Sequence, residues 1–318
     1  MNESFEHRPL LNRETLHSLQ QRQDHLSLVR LALQFGAFVV CILAVIMTTT
    51  IPVLAFVFTV LLAAIWATLF APFHECTHLT AFQSRHLNTF GAWLTGVPFG
   101  MAPAFYRAFH FQHHRYTHDP TKDPELGAPQ LTSWPTNTVS WLFLISGIWL
   151  LKLKVNASVK VSLRSTTQQS PIAPWASLEQ GPRIVRETRV VALVWLLLVV
   201  AACLGVPGMA WLLVALITSH VFQALWLTTE HTGLPHEGSI LARTRTMRTP
   251  AFIRWWLWNM NYHAEHHAWP AIPWYQLPAV HEYIAQHLEH VSDGYLRLQG
   301  DVLQQRNLPD GLRIQGTA

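Results

Sequence analysis

Long uncharged blocks of apolar residues dominate the pattern of this chain. No Asp, Glu, Lys or Arg occurs over the 44 residues from 31 to 74, or over the 40 residues from 190 to 229. The first block is interrupted at residues 48–52 and the second at 205–208. At about 1.5 Å per residue of helix, each block is long enough to cross a hydrocarbon core about 30 Å thick twice or nearly so. The pattern predicts two transmembrane helical hairpins, over about residues 28–73 and 190–229.

Two further apolar segments lie between the predicted hairpins. Residues 87–105 contain several Gly and Pro residues, and residues 138–151 are too short for an ordinary crossing. We expect both segments to be re-entrant or interfacial, although a crossing by either one stays open. The fold class that follows is an all-α integral membrane protein with four spans and a cytosolic cap.

The composition supports this interpretation. Half of the residues are hydrophobic and only 13% are charged, against about 25% in soluble domains. The net charge of +4 does not point to nucleic acid, because the basic residues form no single stripe. The first 26 residues are polar, unlike a secretory signal, and we expect them to form a cytosolic segment.

Basic residues predict the orientation in the membrane. Both hairpin turns are uncharged, whereas the connection between the hairpins is rich in Lys and Arg. Between residues 152 and 189 its basic residues are Lys152, Lys154, Lys160, Arg164, Arg183, Arg186 and Arg189, against the carboxylates Glu179 and Glu187. The positive-inside rule then places the connection, the active site and both termini in the cytoplasm, and we expect a bacterial inner membrane.

A basic and aromatic segment follows the second hairpin. Its members are Arg243, Arg245, Arg248, Arg254, Trp255, Trp256 and Trp258, with Trp269 and Trp274 further on. The pattern is typical of a surface at the level of the lipid headgroups. It would anchor the protein or provide a dock for acidic electron carriers or acyl headgroups.

Histidines in three boxes carry the candidate chemistry. Nineteen histidines are present, more than the 18 carboxylates. The boxes and one lone histidine comprise His74 and His78; His110, His113 and His114; His231; and His263, His266 and His267. Offsets of three and four residues place the imidazoles of each box on one helical face. His74 and His231 each lie one crossing beyond a hairpin turn, so all nine imidazoles are predicted to meet at one membrane face.

Nine imidazoles predict two metal ions, since one zinc ion takes only three or four protein ligands. Imidazole suits iron, zinc and copper alike. A site at the edge of the membrane suggests attack on a carbon of a lipid chain, and an unactivated carbon of this kind requires an oxidant of the iron and oxygen kind. Nearby groups are expected to orient the ligands and offset the charge of the metals. These candidates are Glu75, His118, Asp119, Asp123, Glu230 and Glu265. The remaining histidines, His7, His17, His25, His86, His236, His281, His287 and His290, are expected to face solvent or the interface, and His220 to pack inside the bilayer.

The order of the boxes resembles the membrane fatty acid desaturase superfamily. It reads HxxxH, HxxHH, a lone His after the fourth span, and HxxHH followed by Trp269-Pro270 and Pro273-Trp274. The resemblance covers about residues 60–285 and predicts a desaturase-like domain over 27–285, followed by a cytosolic helix and polar tail over 286–318. It implies a histidine-ligated di-iron centre, oxygen as oxidant and an external electron donor, ferredoxin or a cytochrome with its reductase. In the acyl-CoA branch an Asn stands four residues before the lone His, but here that residue is Leu227.

Several reactions fit these boxes. The resemblance favours desaturation of a long-chain acyl or related lipid, and it leaves open hydroxylation, carotenoid ketolation or hydroxylation, and decarboxylation to a terminal alkene. Box one also matches HExxH, with Glu75 as the general base of an intramembrane zinc protease and Asp310 as a third ligand. That alternative leaves six boxed histidines without a role. A metal transporter would instead place its ligands along a pathway inside the bilayer.

Overall fold

The computed structural model describes residues 7–166 and 171–304, which divide into two compact units. We call residues 23–109 and 146–223 the membrane unit, and residues 7–22, 110–145 and 224–304 the histidine unit. The predicted polar end after residue 304 and the candidate ligand Asp310 lie outside the described residues.

The described residues form fourteen α-helices, two short strands and several 3-10 turns. The helices are α1 (Arg13–Leu19), α2 (Asp24–Met47), α3 (Pro52–Thr68), α4 (Phe70–His78), α5 (Arg85–Phe99), α6 (Pro103–Tyr116), α7 (Thr138–Ser146), α8 (Ile148–Ser162), α9 (Gly181–Cys203), α10 (Met209–His231), α11 (Ala251–Trp256), α12 (His263–Ala268), α13 (Leu277–Ile284) and α14 (Tyr295–Gln304). The strands are β1 (Thr246–Arg248) and β2 (Val291–Asp293).

Three helical segments are long and apolar enough to cross a membrane. They are Asp24–Met47, Pro52–His78, which joins α3 and α4, and Met209–His231. Helices α7 and α8 together form a fourth candidate, bent by 47° at Gly147. We expected the third span in α9. This helix is free of charged residues only after Arg189, and the apolar part that remains is too short to cross the membrane. The protein therefore has three or four candidate spans, and the predicted set of four differs at α9.

Pro52 begins α3 as its first residue, a position where the missing proline N–H costs no helical hydrogen bond. The break between α2 and α3 falls at the predicted turn, and the two helices pack along each other. At the second predicted turn, Gly205 and Gly208 have positive φ values of 73° and 82°. A Cβ at Gly208 would come within 2.8 Å of the Ile46 side chain at the end of α2. Glycine is therefore required at Gly208 both by the backbone and by the neighbouring helix.

Glycines also bring α5 close to α4, the helix that carries box one. A Cβ at Gly91 would lie 2.6 Å from Cys76 Sγ, and one at Gly96 would lie 2.6 Å from the Phe73 ring. Trp66 Nε1 donates to Pro98 O at 2.7 Å, which fixes the end of α5. The Gly residues of the segment 87–105 thus allow a close helix–helix contact beside His74 and His78.

The histidine unit has its own apolar core. Ile272, Leu277, Val280 and Ile284 are fully buried, and each contributes about 1.5–3 kcal/mol through burial of apolar surface. Strands β1 and β2 pair in parallel, with Thr246 opposite Val291. This small sheet corrects the all-α prediction; two runs of three residues are too short to show a strand pattern in the sequence.

Burial corrects the predicted surface of this unit. Arg245 is 1% exposed and its guanidinium donates to the backbone carbonyls of Thr229 and Thr232. Trp258, Trp269 and Trp274 are buried as well, so these three side chains do not form the predicted surface at the level of the headgroups. His7, expected in solvent, is buried with Nε2 2.9 Å from Ala268 O. The burial of these side chains could not be predicted from the local sequence, because segments distant in the chain cover each of them.

Candidate metal centre

Box one lies on α4 in the membrane unit. His74 and His78 are 1% and 8% exposed, and their ring centroids are 4.5 Å apart, as the i, i+4 spacing predicts. The helix ends directly after the box, because Leu79 adopts a left-handed conformation with φ of 64°. Glu75 is fully buried; one carboxylate oxygen lies 3.5 Å from His74 Nδ1 and the other accepts from Thr80 Oγ1 at 2.9 Å. Glu75 therefore lies beside His74.

In the histidine unit, one set of imidazoles converges through Nε2. His114 Nε2 lies 2.9 Å from His110 Nε2 and 3.2 Å from His266 Nε2. We call His110, His114 and His266 the first histidine group. Three ring nitrogens at these separations are close enough to bind one ion together.

A second set lies directly beside the first. Ligand nitrogens of His113, His231 and His267 lie within 4.8 Å of one another, and His263 Nε2 lies 2.8 Å from His231 Nε2. We call His113, His231, His263 and His267 the second histidine group. The rings of His114 and His267 stack with centroids 4.1 Å apart, which joins the two groups.

Each ring of the second histidine group has a polar neighbour at Nδ1. The four neighbours are Asp123 at 2.9 Å from His113, Arg243 O at 2.8 Å from His231, Thr117 Oγ1 at 3.1 Å from His267 and Glu230 at 3.5 Å from His263. A proton held at Nδ1 leaves Nε2 as the ligand atom. Among the described residues, His267 Nε2 is buried without a hydrogen-bond partner. The donor set fits a divalent metal with imidazole ligands.

The hydroxyl of Thr117 shows how the chain fixes a tautomer. Thr117 Oγ1 donates to His113 O at 2.9 Å, so towards His267 it accepts the Nδ1 proton. The guanidinium of Arg243 donates to Thr117 O at 2.8 Å, while Arg243 O accepts from His231. Neither Thr117 nor Arg243 was predicted to orient a ligand, because their contacts with His267 and His231 depend on the tertiary fold.

Asp123 lies at hydrogen-bond distance from a boxed imidazole. Both of its oxygens lie within 3.0 Å of His113 Nδ1, and they accept the backbone N–H groups of His118 and Glu125. Burial favours neutral His113, but Glu125 and Asp123 outweigh it and raise the pKa of His113 to about 9. A metal ion must then displace this proton when it binds.

Burial has the opposite net effect on other rings. It lowers the pKa of His263 and His267 well below the usual range, with neighbouring histidines adding to the shift. Burial likewise lowers the pKa of His118 to about 4. These imidazoles are neutral at pH 7, the form that binds metals.

Three of the residues predicted to orient the ligands make no hydrogen bond to a boxed imidazole through their side chains in the described part of the chain. Asp119 is partly exposed and accepts from Thr121 and Lys122 instead of a boxed imidazole. Glu265 is buried between Thr246 and His281, which is therefore not simply a surface histidine. The ring of His118 stacks on His236 and its Nδ1 lies 2.8 Å from Pro235 O, while its backbone N–H holds Asp123. His118 thus acts through Asp123, and Asp119 is not brought to a ligand.

Comparison with known proteins identifies a matching family. Residues 49–298 match the model of a family described as fatty acid desaturase. The human sphingolipid delta(4)-desaturase/C4-monooxygenase DES2 is 25% identical over 224 residues, which are 69% of this chain and 62% of that protein. Its mouse counterpart is 26% identical over the same length, with the same shares covered. The matched region thus spans less than two thirds of these relatives.

Proposed function

Because this chain belongs to the fatty acid desaturase family, we propose that it is an oxygen-dependent membrane oxidoreductase that desaturates a long acyl chain of a lipid. The second histidine group carries the proposal. Four buried imidazoles meet there; three of them have a hydrogen-bond partner at Nδ1, and His263 Nδ1 lies 3.5 Å from Glu230. Such partners orient imidazole rings for metal binding and are typical of metal ligands.

The proposed cofactor is two iron ions held by the nine boxed histidines. The first and second histidine groups supply seven of the ligands, and the HxxxH spacing of His74 and His78 supports the other two. Iron with oxygen supplies the oxidising power that removal of hydrogen from an unactivated carbon requires. Asp123, Glu230 and Glu75 offset positive charge beside the rings, and the burial of the ligands keeps water from the reacting carbon.

Electrons are proposed to come from a ferredoxin or a cytochrome with its reductase. The sequence has no GxGxxG fingerprint and no cysteine cluster, and its three cysteines are free. Arg248 and Arg254 remain candidates for contact with an acidic carrier, since Arg248 is exposed and Arg254 is half-buried.

Hydroxylation is a second candidate reaction. The names of the human and mouse relatives join a desaturase and a C4-monooxygenase activity on sphingolipids. Both reactions begin with the loss of one hydrogen from the chain. Desaturation then removes a second hydrogen, whereas hydroxylation adds a hydroxyl group to the carbon. The zinc protease alternative explains only box one, whereas the family match and both histidine groups concern the other boxes.

Lipid profiling by mass spectrometry tests the proposal. Host cells with the intact protein are compared with cells that carry His266→Ala, with acyl lipids, sphingolipids and carotenoids measured in parallel. We expect a new unsaturated or hydroxylated chain only with the intact protein. Identical profiles in cells that also supply a reduced carrier, with purified protein that takes up no oxygen with any of these lipids, would overturn the proposal.

A further inference from the structure

A cavity in the membrane unit has the buried side chain of Lys154 on its wall. Met101, Phe105 and Val191 give it an apolar lining, and Lys154, Ser158 and Thr188 are the polar side chains. None of these residues belongs to the histidine boxes. A ligand in this cavity would meet an amine in otherwise apolar surroundings.

The partners of Lys154 are neutral. Its Nζ donates to Phe99 O at 3.2 Å and to Gln223 Oε1 at 3.0 Å, and it lies 3.4 Å from the centroid of the Phe99 ring. The residue is only 7% exposed, and in the described part of the chain no carboxylate pairs with it. When the amine is protonated it has three donors, so in that form its two neutral acceptors leave one donor and the charge uncompensated. A buried charge of this kind is costly unless an anion accompanies it.

A second polar group on the same wall is also incompletely satisfied. Thr188 is 5% exposed, and its Oγ1 has no hydrogen-bond partner among the described residues. Ser158 is half-buried and lies on the same helix as Lys154, one turn further on. A protonated amine and two hydroxyl groups match the several lone pairs of a carboxylate. The cavity is small and has room for a group of that size, so the alkyl chain would extend beyond it.

Aromatic rings connect this cavity with box one inside the same unit. The Phe99 ring under Lys154 Nζ stacks on Phe70 with centroids 5.1 Å apart. The Phe70 ring lies 5.8 Å from that of His74. Lys154 is thus two aromatic rings away from a proposed metal ligand.

We propose that Lys154, with Thr188 and Ser158, binds the carboxylate of an unesterified fatty acid. The enzyme then acts on the free acid rather than on a thioester or a glycerolipid ester, which lack this negative charge at the acyl carbon. This inference rests on the proposed function, because it names the substrate class of the same site.

Binding of tritiated palmitate to the purified full-length protein tests the proposal. The variant is Lys154→Met, and the matched control is Lys152→Met, an exposed lysine on the same helix. We expect Lys154→Met to weaken palmitate binding about 10- to 100-fold, as for the loss of a hydrogen bond to a charged group, and Lys152→Met to leave it unchanged. Methyl palmitate and palmitoyl-CoA should compete poorly with palmitate on the intact protein.

Equal palmitate affinity of the intact protein and Lys154→Met would overturn the proposal, as would equally strong competition by methyl palmitate. Bound iron is measured in every variant, so that a misfolded protein is recognised. If Lys154→Met is misfolded, Lys154→Arg, which keeps a basic group, is assayed instead. Partial palmitate binding by that variant would support the proposal, and binding no better than that of Lys154→Met would contradict it. Because this assay requires no turnover, palmitate binding without oxidation of any lipid would contradict the proposed function alone.

Discussion

The second histidine group and the Lys154 cavity both hold basic nitrogens away from water, but their surroundings differ. The four imidazoles have a carboxylate, a carbonyl or a hydroxyl at Nδ1. Lys154 has only a carbonyl, an amide oxygen and an aromatic ring. The first arrangement orients rings and supplies negative charge beside them, as metal ligands require. The second supplies no opposite charge, so a protonated Lys154 would need an anion beside it.

The largest effect is expected for removal of a ligand from the second histidine group. His267→Ala deletes a buried imidazole, and we expect bound iron and lipid oxidation to fall by more than about 100-fold, since loss of an outer partner alone costs about 10- to 100-fold. Iron content by mass spectrometry and oxygen uptake measure this. His287→Ala, at an exposed position, is the control and should behave like the intact protein. Full iron content in His267→Ala would contradict the proposed ligand set.

A smaller loss is expected when an outer partner at hydrogen-bond distance from a ligand is removed. Asp123→Ala removes both oxygens beside His113 Nδ1, and we expect metal affinity to fall about 10- to 100-fold. Asp119→Ala is the matched control, because that carboxylate accepts from Thr121 and Lys122 and not from a boxed imidazole among the described residues, and it should change affinity by less than about twofold. Competition with a chelator of known affinity measures both. Equal losses in the two variants would show that charge alone, without contact, acts on the site.

Thr117→Val tests a single neutral hydrogen bond in the same group. Valine keeps the shape but offers no acceptor to His267 Nδ1, and we expect metal affinity to fall about 2- to 10-fold. Thr117→Ser keeps the hydroxyl and should restore most of the affinity. The same chelator competition provides the measurement. A Ser variant as weak as the Val variant would assign the effect to the lost methyl group rather than to the hydrogen bond.

The smallest effect is expected for the stability of the Lys154 cavity. Lys154→Met removes a buried charge that neutral groups only partly compensate, so we expect the free energy of unfolding without fatty acid to change by no more than about 1 kcal/mol. Thermal unfolding in detergent, with and without palmitate, measures this. Palmitate should raise the Tm of the intact protein and not that of the variant. If Lys154→Met were strongly destabilised without palmitate, the result would show that Lys154 is required for the fold.

Box geometry was predictable because it is local. A helix fixes the directions of residues three and four apart, so HxxxH and HxxHH predicted the convergence of His74 with His78 and of His110 with His114. Outer partners were predictable only in part. Asp119 and Asp123 are four residues apart in one loop, and nothing in their spacing indicated that only Asp123 reaches His113.

The sequence by itself determined the uncharged helices, the faces of the histidine boxes and the family of the chain, since these follow from backbone periodicity and short motifs. The tertiary structure decided which polar group meets each Nδ1, that Arg245 is buried, and that Lys154 lies on the wall of a cavity. The contact between Thr117 and His267 joins residues 150 positions apart. Such contacts depend on how the helices pack together, and packing is a property of the whole chain that no short stretch of sequence encodes.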